Sequence, residues 1–236
     1  PSPATPTPAP TTPEPVKTIT TPPVTPPPPP AAEPKTSPGV TRMEVSVGTP
    51  PPEGWKWVVA EYSTATDEVK ETPTRHGFFW IFYVIKGSHE VATENTTKTA
   101  SAGEGIMVAT SENHSHRYLL QSKVLIFDVR SANDNPTAFH RGTRLFVSDK
   151  LDLPQSSDYK IRIQEFTLEP GRQSREKTTA NPAFLYVEDG ALSVFTQGGS
   201  IIGKPGMAFP LPPNSAYIRS NEGTVPARFL SVEVLP

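Results

Sequence analysis

The 236 residues carry a formal charge of −2, and lysine and arginine are spread thinly, so the sequence has no basic stripe of the kind that neutralises nucleic-acid phosphates. No apolar run approaches the roughly 18 residues that a membrane-spanning helix needs, the longest being 78–85. Nucleic acid is therefore not an expected partner, and no transmembrane segment is predicted.

The first 40 residues are rich in proline and threonine and contain no aromatic side chain, and 19 of the 30 prolines precede residue 53. Such a segment cannot bury enough apolar surface to offset its ordering entropy, so 1–40 is predicted to be a disordered, polyproline-biased tether. Its composition resembles that of spacers in exported bacterial proteins, and the absence of cysteine is compatible with an oxidising compartment. We therefore expect an extracytoplasmic protein, secreted or surface-tethered.

Beyond the tether, short alternating or apolar segments separated by turn residues predict an all-β chain. In the first half these segments are 55–62, 78–85, 106–109, 115–120 and 123–129. The polar segment 131–154 predicts a connection, after which the strand pattern restarts. The later segments are 160–168, 183–187, 192–196, 207–209, 216–219 and 227–235. The predicted folded units are 41–135 and 155–236, joined by 136–154.

The restart is an internal repeat of one β unit. Residues 83–87 match 186–190 at an offset of 103. Further along, Gly105, Ser111 and Asn113 match Gly206, Pro212 and Asn214 at an offset of 101. Two signals in the same order with similar spacing indicate a duplication.

Two spaced motifs in the second repeat carry a family resemblance. Their positions are Gly171, Lys177, Thr179, Ala183 and Gly190, followed by Gly206, Pro212, Asn214, Tyr217 and Asn221. This spacing resembles that of the cupin superfamily, whose motifs are G-x5-H-x-H-x3,4-E-x6-G and G-x5-P-x-G-x2-H-x3-N. The resemblance implies two tandem cupin β-barrels of the jelly-roll type.

In the family, three histidines and one glutamate of these motifs bind a divalent metal. The second repeat has Lys177, Thr179, Ala183 and Tyr217 at those four positions, so the resemblance implies a second barrel without metal. Lys177, Thr179 and Tyr217 are still expected to point into the barrel and to form a ligand pocket. A buried lysine then requires an anionic ligand or a shifted pKa, unless it reaches the rim or pairs with Glu169 or Glu176.

The first repeat keeps some of the ligands. Counting back from Gly87 places Thr74, His76 and Trp80 at the first-motif positions, and the offset of 101 places His116 at the second-motif histidine. His114 lies two residues from His116 and is expected to share its strand face. His76, His114 and His116 could together hold Zn, Mn, Fe, Ni or Cu, although Trp80 would fill part of such a site. Otherwise the histidines are polar residues satisfied within a pocket.

These residues favour a non-catalytic or residually catalytic bicupin, an exported module that binds a small molecule or a surface partner. The pocket residues of this hypothesis are Trp80, His76, His116, Lys177, Thr179 and Tyr217. One alternative is a metal-dependent oxygenase or isomerase that uses the first barrel, and another is a purely structural surface module. No cofactor other than such a metal is expected, and a homodimer remains open. No Ser-His-Asp set, phosphate loop or cysteine motif is present.

Overall fold

The computed structural model describes residues 39–74, 78–134 and 142–236, with the backbone alone for 68–74 and Leu120. In these ranges all regular secondary structure is β, as the sequence predicted, and it comprises sixteen strands. Those of the N-terminal half are β1 (Val40–Gly48), β2 (Trp55–Ser63), β3 (Glu68–Thr74), β4 (Trp80–Thr93), β5 (Thr97–Ser101), β6 (Gly105–Val108), β7 (His114–Ser131) and β8 (Thr143–Val147). Those of the C-terminal half are β9 (Tyr159–Leu168), β10 (Lys177–Thr179), β11 (Ala183–Asp189), β12 (Leu192–Thr196), β13 (Gly199–Gly203), β14 (Ala208–Leu211), β15 (Ser215–Ser220) and β16 (Ala227–Leu235).

The strands form two antiparallel barrels. The first barrel is built on a sheet of order β5-β4-β7-β2-β8, with β3 paired to β7 and β6 paired to β4. The second consists of one sheet of order β1-β9-β16-β11-β14 and another of order β10-β15-β12-β13. The tether predicted for 1–40 lies outside the described residues except for its last two. No helix in the described ranges is long and apolar enough to cross a bilayer.

Each barrel contains one strand from outside the folded unit that the sequence predicted for it. Strand β1 precedes the first barrel in the chain but pairs antiparallel with β9 of the second, and an Arg42–Glu165 ion pair of 2.7 Å joins these two strands. Strand β8 lies in the segment predicted as a connection, yet it pairs with β2 of the first barrel. Both strands were missed in the sequence, although alternation at Met43, Val45 and Val47 marks β1.

The largest apolar cluster lies between the barrels. It combines side chains of β2, β4 and β7 with side chains of β9, β11 and β16, including Trp57, Phe127, Phe184 and Leu230. The ring of Phe184 packs edge-on against those of Trp57 and Phe127, with centroids 5.2 and 5.5 Å away. Successive side chains of a strand point to opposite faces, so these strands are buried both inside a barrel and against the other barrel. This double burial explains why 78–85 is a continuous apolar run rather than an alternating one.

Candidate functional site

A single offset of 103 residues relates the site-forming parts of the two barrels. Gly87 and Gly190 have left-handed backbone with φ of 77° and 69°, and Gly103 and Gly206 have φ of 86° and 83°. The Gly103 and Gly206 amides each donate a 2.8 Å hydrogen bond, to the carbonyls of residues 84 and 187 respectively. Both the positive φ angles, which favour glycine, and the hydrogen bonds thus repeat at the same spacing.

The offset extends into the second motif. Ser111 and Asn214 both have positive φ, 64° and 57°. Thr74 pairs with His114 across β3 and β7, and Lys177 pairs with Tyr217 across β10 and β15. These residues are again 103 apart in the two repeats.

The offset of 101 predicted for the second motif is therefore wrong. Gly105, which the sequence match aligned with Gly206, lies within β6 and does not have positive φ; the turn glycine of the first barrel is Gly103. The correction moves the family's fourth ligand position from His116 to His114. His116 is then the equivalent of Arg219, for which the two motifs predict no role.

All four substituted ligand positions of the second barrel line one cavity of about 150 Å³. Lys177 and Thr179 come from β10, Ala183 from β11 and Tyr217 from β15. The remaining lining residues are Gln164, Phe166, Thr178, Arg219, Ser231 and Glu233. We call this space the second-barrel cavity.

Two cations reach this cavity and contact the same aromatic ring. The Arg219 guanidinium carbon lies 4.5 Å from the centroid of Phe166 and 5.0 Å from that of Phe229, and the Lys177 ammonium lies 5.3 Å from that of Phe166. Arg219 is only 2% exposed. The signal that could have found it is its position two residues beyond Tyr217, which places both side chains on one strand face.

No carboxylate of the described residues forms an ion pair with the buried guanidinium. Within the described residues, Arg219 has cation–π contacts but no ion pair, and its Nε is buried without a hydrogen-bond partner. Lys177 likewise has no ion pair with Glu169 or Glu176 in this part of the chain. Glu233 is the acid in the cavity lining, and its carboxylate lies 3.2 Å from the Thr179 hydroxyl.

Burial is the main influence on the protonation equilibria of the cavity. Burial lowers the pKa of Lys177, the Arg219 charge lowers it further, and the Glu233 charge opposes both effects. Burial also lowers the pKa of Arg219. Burial raises the pKa of Tyr217, so its hydroxyl stays protonated and can donate a hydrogen bond.

The first barrel encloses a cluster of three imidazoles. His89, His114 and His116 are 0%, 2% and 5% exposed. The His116 Nδ1 atom lies 3.3 Å from His89 Nε2, and the rings of His114 and His116 lie 4.7 Å apart. His114 and His116 share a face, as their spacing predicted, whereas His89 comes from β4 and was missed because its strand neighbours Ser88 and Glu90 give no ligand motif.

Aromatic rings surround the His89 imidazole. The rings of Phe82 and Tyr118 lie 4.9 and 4.4 Å from that of His89. Burial, followed by the charge of His114, lowers the pKa of His89 to about 3. Neutral imidazole is therefore the folded form of His89 at physiological pH.

The carboxylate of Asp128 lies in the same barrel beside Trp80. Trp80 is buried and occupies the position of the family's glutamate. Burial raises the pKa of Asp128 to about 7 against the opposing charge of Arg130, whose Nε lies 2.7 Å from that carboxylate. The Arg130 guanidinium lies 6.0 Å from the Trp80 ring. Trp80 and Asp128 are cross-strand partners on β4 and β7.

The described residues do not form a divalent-metal site in either barrel. No group of three histidine, cysteine, aspartate or glutamate side chains among them could hold an ion. In the first barrel His89 and His116 turn ring nitrogens toward each other, and in the second the ligand positions carry an ammonium, two hydroxyls and a methyl group. His76 lies outside the described residues, so the predicted set of His76, His114 and His116 stays a prediction.

Two larger clefts lie elsewhere. One, of about 310 Å³, is lined by Trp57, Pro182 and the segments 147–152 and 210–213. The other, of about 450 Å³, is lined by the segments 49–51 and 78–79 together with Trp55 and Ser131. Of the four substituted ligand positions, only Ala183 lines either cleft. The candidate site is therefore the second-barrel cavity.

Comparison with known proteins places the fold. No protein-family model matches the sequence, and no curated protein matches it. The structure is similar to that of AerE from Microcystis aeruginosa, with a TM-score of 0.57 and 12% identity over 83% of this chain and 99% of that one. It is also similar to a mutant of Bacillus subtilis oxalate decarboxylase, with a TM-score of 0.56 and 12% identity over 82% and 77% of the two chains.

A second oxalate decarboxylase structure, from work on the Mn(II) centres of that enzyme, matches with a TM-score of 0.57 and 13% identity over 83% of this chain and 74% of that one. At these identities the likeness shows the fold alone. The chain therefore shares a fold of two β-barrels in tandem with these proteins, and the all-β tandem-barrel architecture expected from its motifs is confirmed.

Proposed function

We propose that this bicupin is a non-catalytic, or at most residually catalytic, module that binds a small molecule in the second-barrel cavity. One observation carries the proposal. The four positions that hold metal in the family are occupied by Lys177, Thr179, Ala183 and Tyr217, and all four line a single cavity. A barrel that keeps its pocket but replaces its metal ligands is suited to binding, because ammonium, hydroxyl and methyl groups cannot supply Lewis-acid chemistry.

The proline- and threonine-rich segment supports an extracytoplasmic setting for this module. Such a composition is typical of extended spacers that hold a domain away from a surface. The proposed protein is accordingly a tethered or secreted binding module. Fractionation of the native host, with detection by an antibody against the folded barrels, tests this location, and recovery in the cytoplasmic fraction alone would contradict it.

Ligand binding is tested by a thermal-shift screen that covers sugars, polyols, amino acids, organic acids and divalent metals. The control is Ser231→Leu, which adds bulk to the lining of the cavity. A ligand at a hundredfold excess over Kd stabilises the folded state by about 2.7 kcal/mol, which corresponds to a rise in Tm of roughly 5–10 °C for a chain of this size. We expect at least one class of compound to raise the Tm of the unmodified protein and not that of the variant. If no class separates the two proteins, the cavity is not a binding site.

A metal-dependent enzyme working from the first barrel is the second candidate. It is favoured by imidazoles at two of the family's ligand positions, His76 and His114, and by the Mn(II) centres named for the structurally similar oxalate decarboxylase. Elemental analysis of protein purified without a histidine tag separates it from the binding module. A stoichiometric transition metal lost in His114→Ala would favour the enzyme, and metal-free protein that still binds a small molecule would favour the module.

A further inference from the structure

The charges of the second-barrel cavity indicate which class of molecule it binds. Lys177 and Arg219 contribute two positive charges and Glu233 contributes one negative charge, so the cavity carries a formal charge of +1 when all three are ionised. Lys177 is exposed, whereas Arg219 is buried, and a buried charge without a partner is costly. The Arg219 Nε, buried without a hydrogen-bond partner in the described part of the chain, is a donor that a ligand could satisfy.

The position of Arg219 is fixed by its surroundings. Its backbone amide donates to the Ser174 hydroxyl at 3.0 Å, and its carbonyl accepts from the Ser174 amide at 2.7 Å. The rings of Phe166 and Phe229 pack against its guanidinium. A guanidinium held in this way is preorganised, and its planar fork of N–H donors matches a carboxylate.

The size and charge of the second-barrel cavity limit the class of ligand further. A cavity of about 150 Å³ is smaller than the roughly 300–1,000 Å³ of pockets that bury drug-sized ligands, so its size favours a small ligand. The Glu233 carboxylate disfavours a dianion by charge repulsion. The Phe166 ring and the Ala183 methyl group provide an apolar wall for a short carbon chain, and the Tyr217 hydroxyl can donate a further hydrogen bond.

We propose that the second-barrel cavity binds a small monocarboxylate, whose carboxylate group is held by Arg219 and Lys177. This assignment rests on the proposed binding function of the same cavity. It is particular to the second barrel, because the equivalent positions of the first barrel carry Thr74 in place of Lys177 and His116 in place of Arg219. The inorganic anions phosphate and sulfate share part of this chemistry and are separated by the experiment.

The test measures Kd at constant ionic strength for acetate, lactate and pyruvate, for the neutral amides acetamide and lactamide, and for phosphate and sulfate. We expect at least one carboxylate to bind about 10-fold or more tightly than its amide, since a hydrogen bond to a charged group is worth more than one to a neutral group. Equal binding of acid and amide would overturn the assignment. Phosphate or sulfate binding more tightly than every carboxylate would also overturn it.

Two charge variants with opposite expected effects sharpen the test. Lys177→Gln should weaken carboxylate binding about 10-fold, and Glu233→Gln should strengthen it about 3-fold or more by removing a nearby negative charge. Glu176→Gln is the matched control for Glu233→Gln, because both remove one negative charge. Glu176 is exposed and adjacent to Lys177 in the chain, but it does not line the cavity. Its Kd should stay within about 2-fold of the unmodified protein, as expected for a screened surface charge.

The outcomes separate failure of this inference from failure of the proposed function. A neutral or cationic compound that stabilises the unmodified protein but not Ser231→Leu would leave the cavity a binding site and refute the carboxylate. A carboxylate whose Kd is unchanged in Lys177→Gln and in Glu233→Gln binds elsewhere and refutes the assignment. Absence of any ligand that depends on the cavity refutes both proposals.

Discussion

The buried imidazole cluster of the first barrel makes stability depend on pH through His89. Burial lowers the pKa of His89 to about 3 in the folded protein, whereas an imidazole in an unfolded chain has a pKa of about 6.5. The unfolded state therefore binds more protons than the folded state between these two values. The stability that His89 contributes as a neutral group is fully present above about pH 6.5 and declines as the pH falls toward 3.

The size of the stability loss follows from the interval between the folded and unfolded pKa values of His89. Each pH unit below about 6.5 costs about 1.4 kcal/mol of unfolding free energy, so lowering the pH from 7 to 5 should remove about 2 kcal/mol through His89 alone. Asp128 acts in the opposite direction, because burial raises its pKa to about 7 and its protonation favours the folded state as the pH falls. The contribution of His89 must therefore be isolated by difference.

The perturbation is His89→Leu, which installs the residue that the second barrel carries at the equivalent position, Leu192. The variant loses both the 3.3 Å contact between His89 and His116 and the imidazole of His89 that titrates. A second variant, His89→Gln, keeps a polar side chain and does not titrate, so effects of packing and of charge are separated.

Urea denaturation followed by tryptophan fluorescence at pH 7 and pH 5 gives the unfolding free energy of each protein. On going from pH 7 to pH 5, the unmodified protein should lose about 2 kcal/mol more unfolding free energy than either variant loses. If that difference is the same at both pH values for both variants, His89 does not carry the predicted pKa shift, and our account of the cluster is wrong.

Three further predictions follow from the fold. Gly190→Ala should lower the unfolding free energy by about 3 kcal/mol or more, because a Cβ there would lie 2.5 Å from the Pro226 carbonyl oxygen. Gly171→Ala, with the same φ of 69° and open space around it, should lower it by only about 1 kcal/mol. Equal losses in urea denaturation would contradict the close contact. Residues 155–236 produced alone should aggregate or oligomerise on size exclusion, since they lack β1 and expose the apolar face between the barrels; a monomeric, cooperatively folded fragment would count against this. Any rise in Tm produced by Zn, Mn, Fe, Ni or Cu should disappear in His114→Ala and persist in Tyr217→Phe, and its survival in His114→Ala would place the ion elsewhere.

The elements of the fold follow largely from local sequence patterns. Period-two alternation, apolar runs and turn residues predicted an all-β chain and most of its long strands, because side-chain direction in a strand is set by position alone. The turn glycines and Asn214 marked the positions with left-handed backbone. Motif spacing then predicted the cupin fold and the substituted metal positions of the second barrel, which line one cavity in the structure.

The register of the second motif could not be read from residue identity. In the sequence Gly105 matches Gly206 as well as Gly103 does, and only the backbone angles and the paired hydrogen bonds decide for Gly103. That two-residue difference moves the ligand position from His116 to His114. It also reveals Arg219 as the residue equivalent to His116.

The remaining features depend on contacts between residues far apart in the chain. Strand β1 joins β9 across more than 110 residues, and His89 meets His116 only because β4 pairs with β7 from one end of β4 to the other. Arg219 enters the second-barrel cavity because β15 lies beside β10 and brings its side chain near Lys177. A sequence specifies which face of a strand each residue occupies, whereas the identity of the facing strand is decided by the packing of the whole barrel.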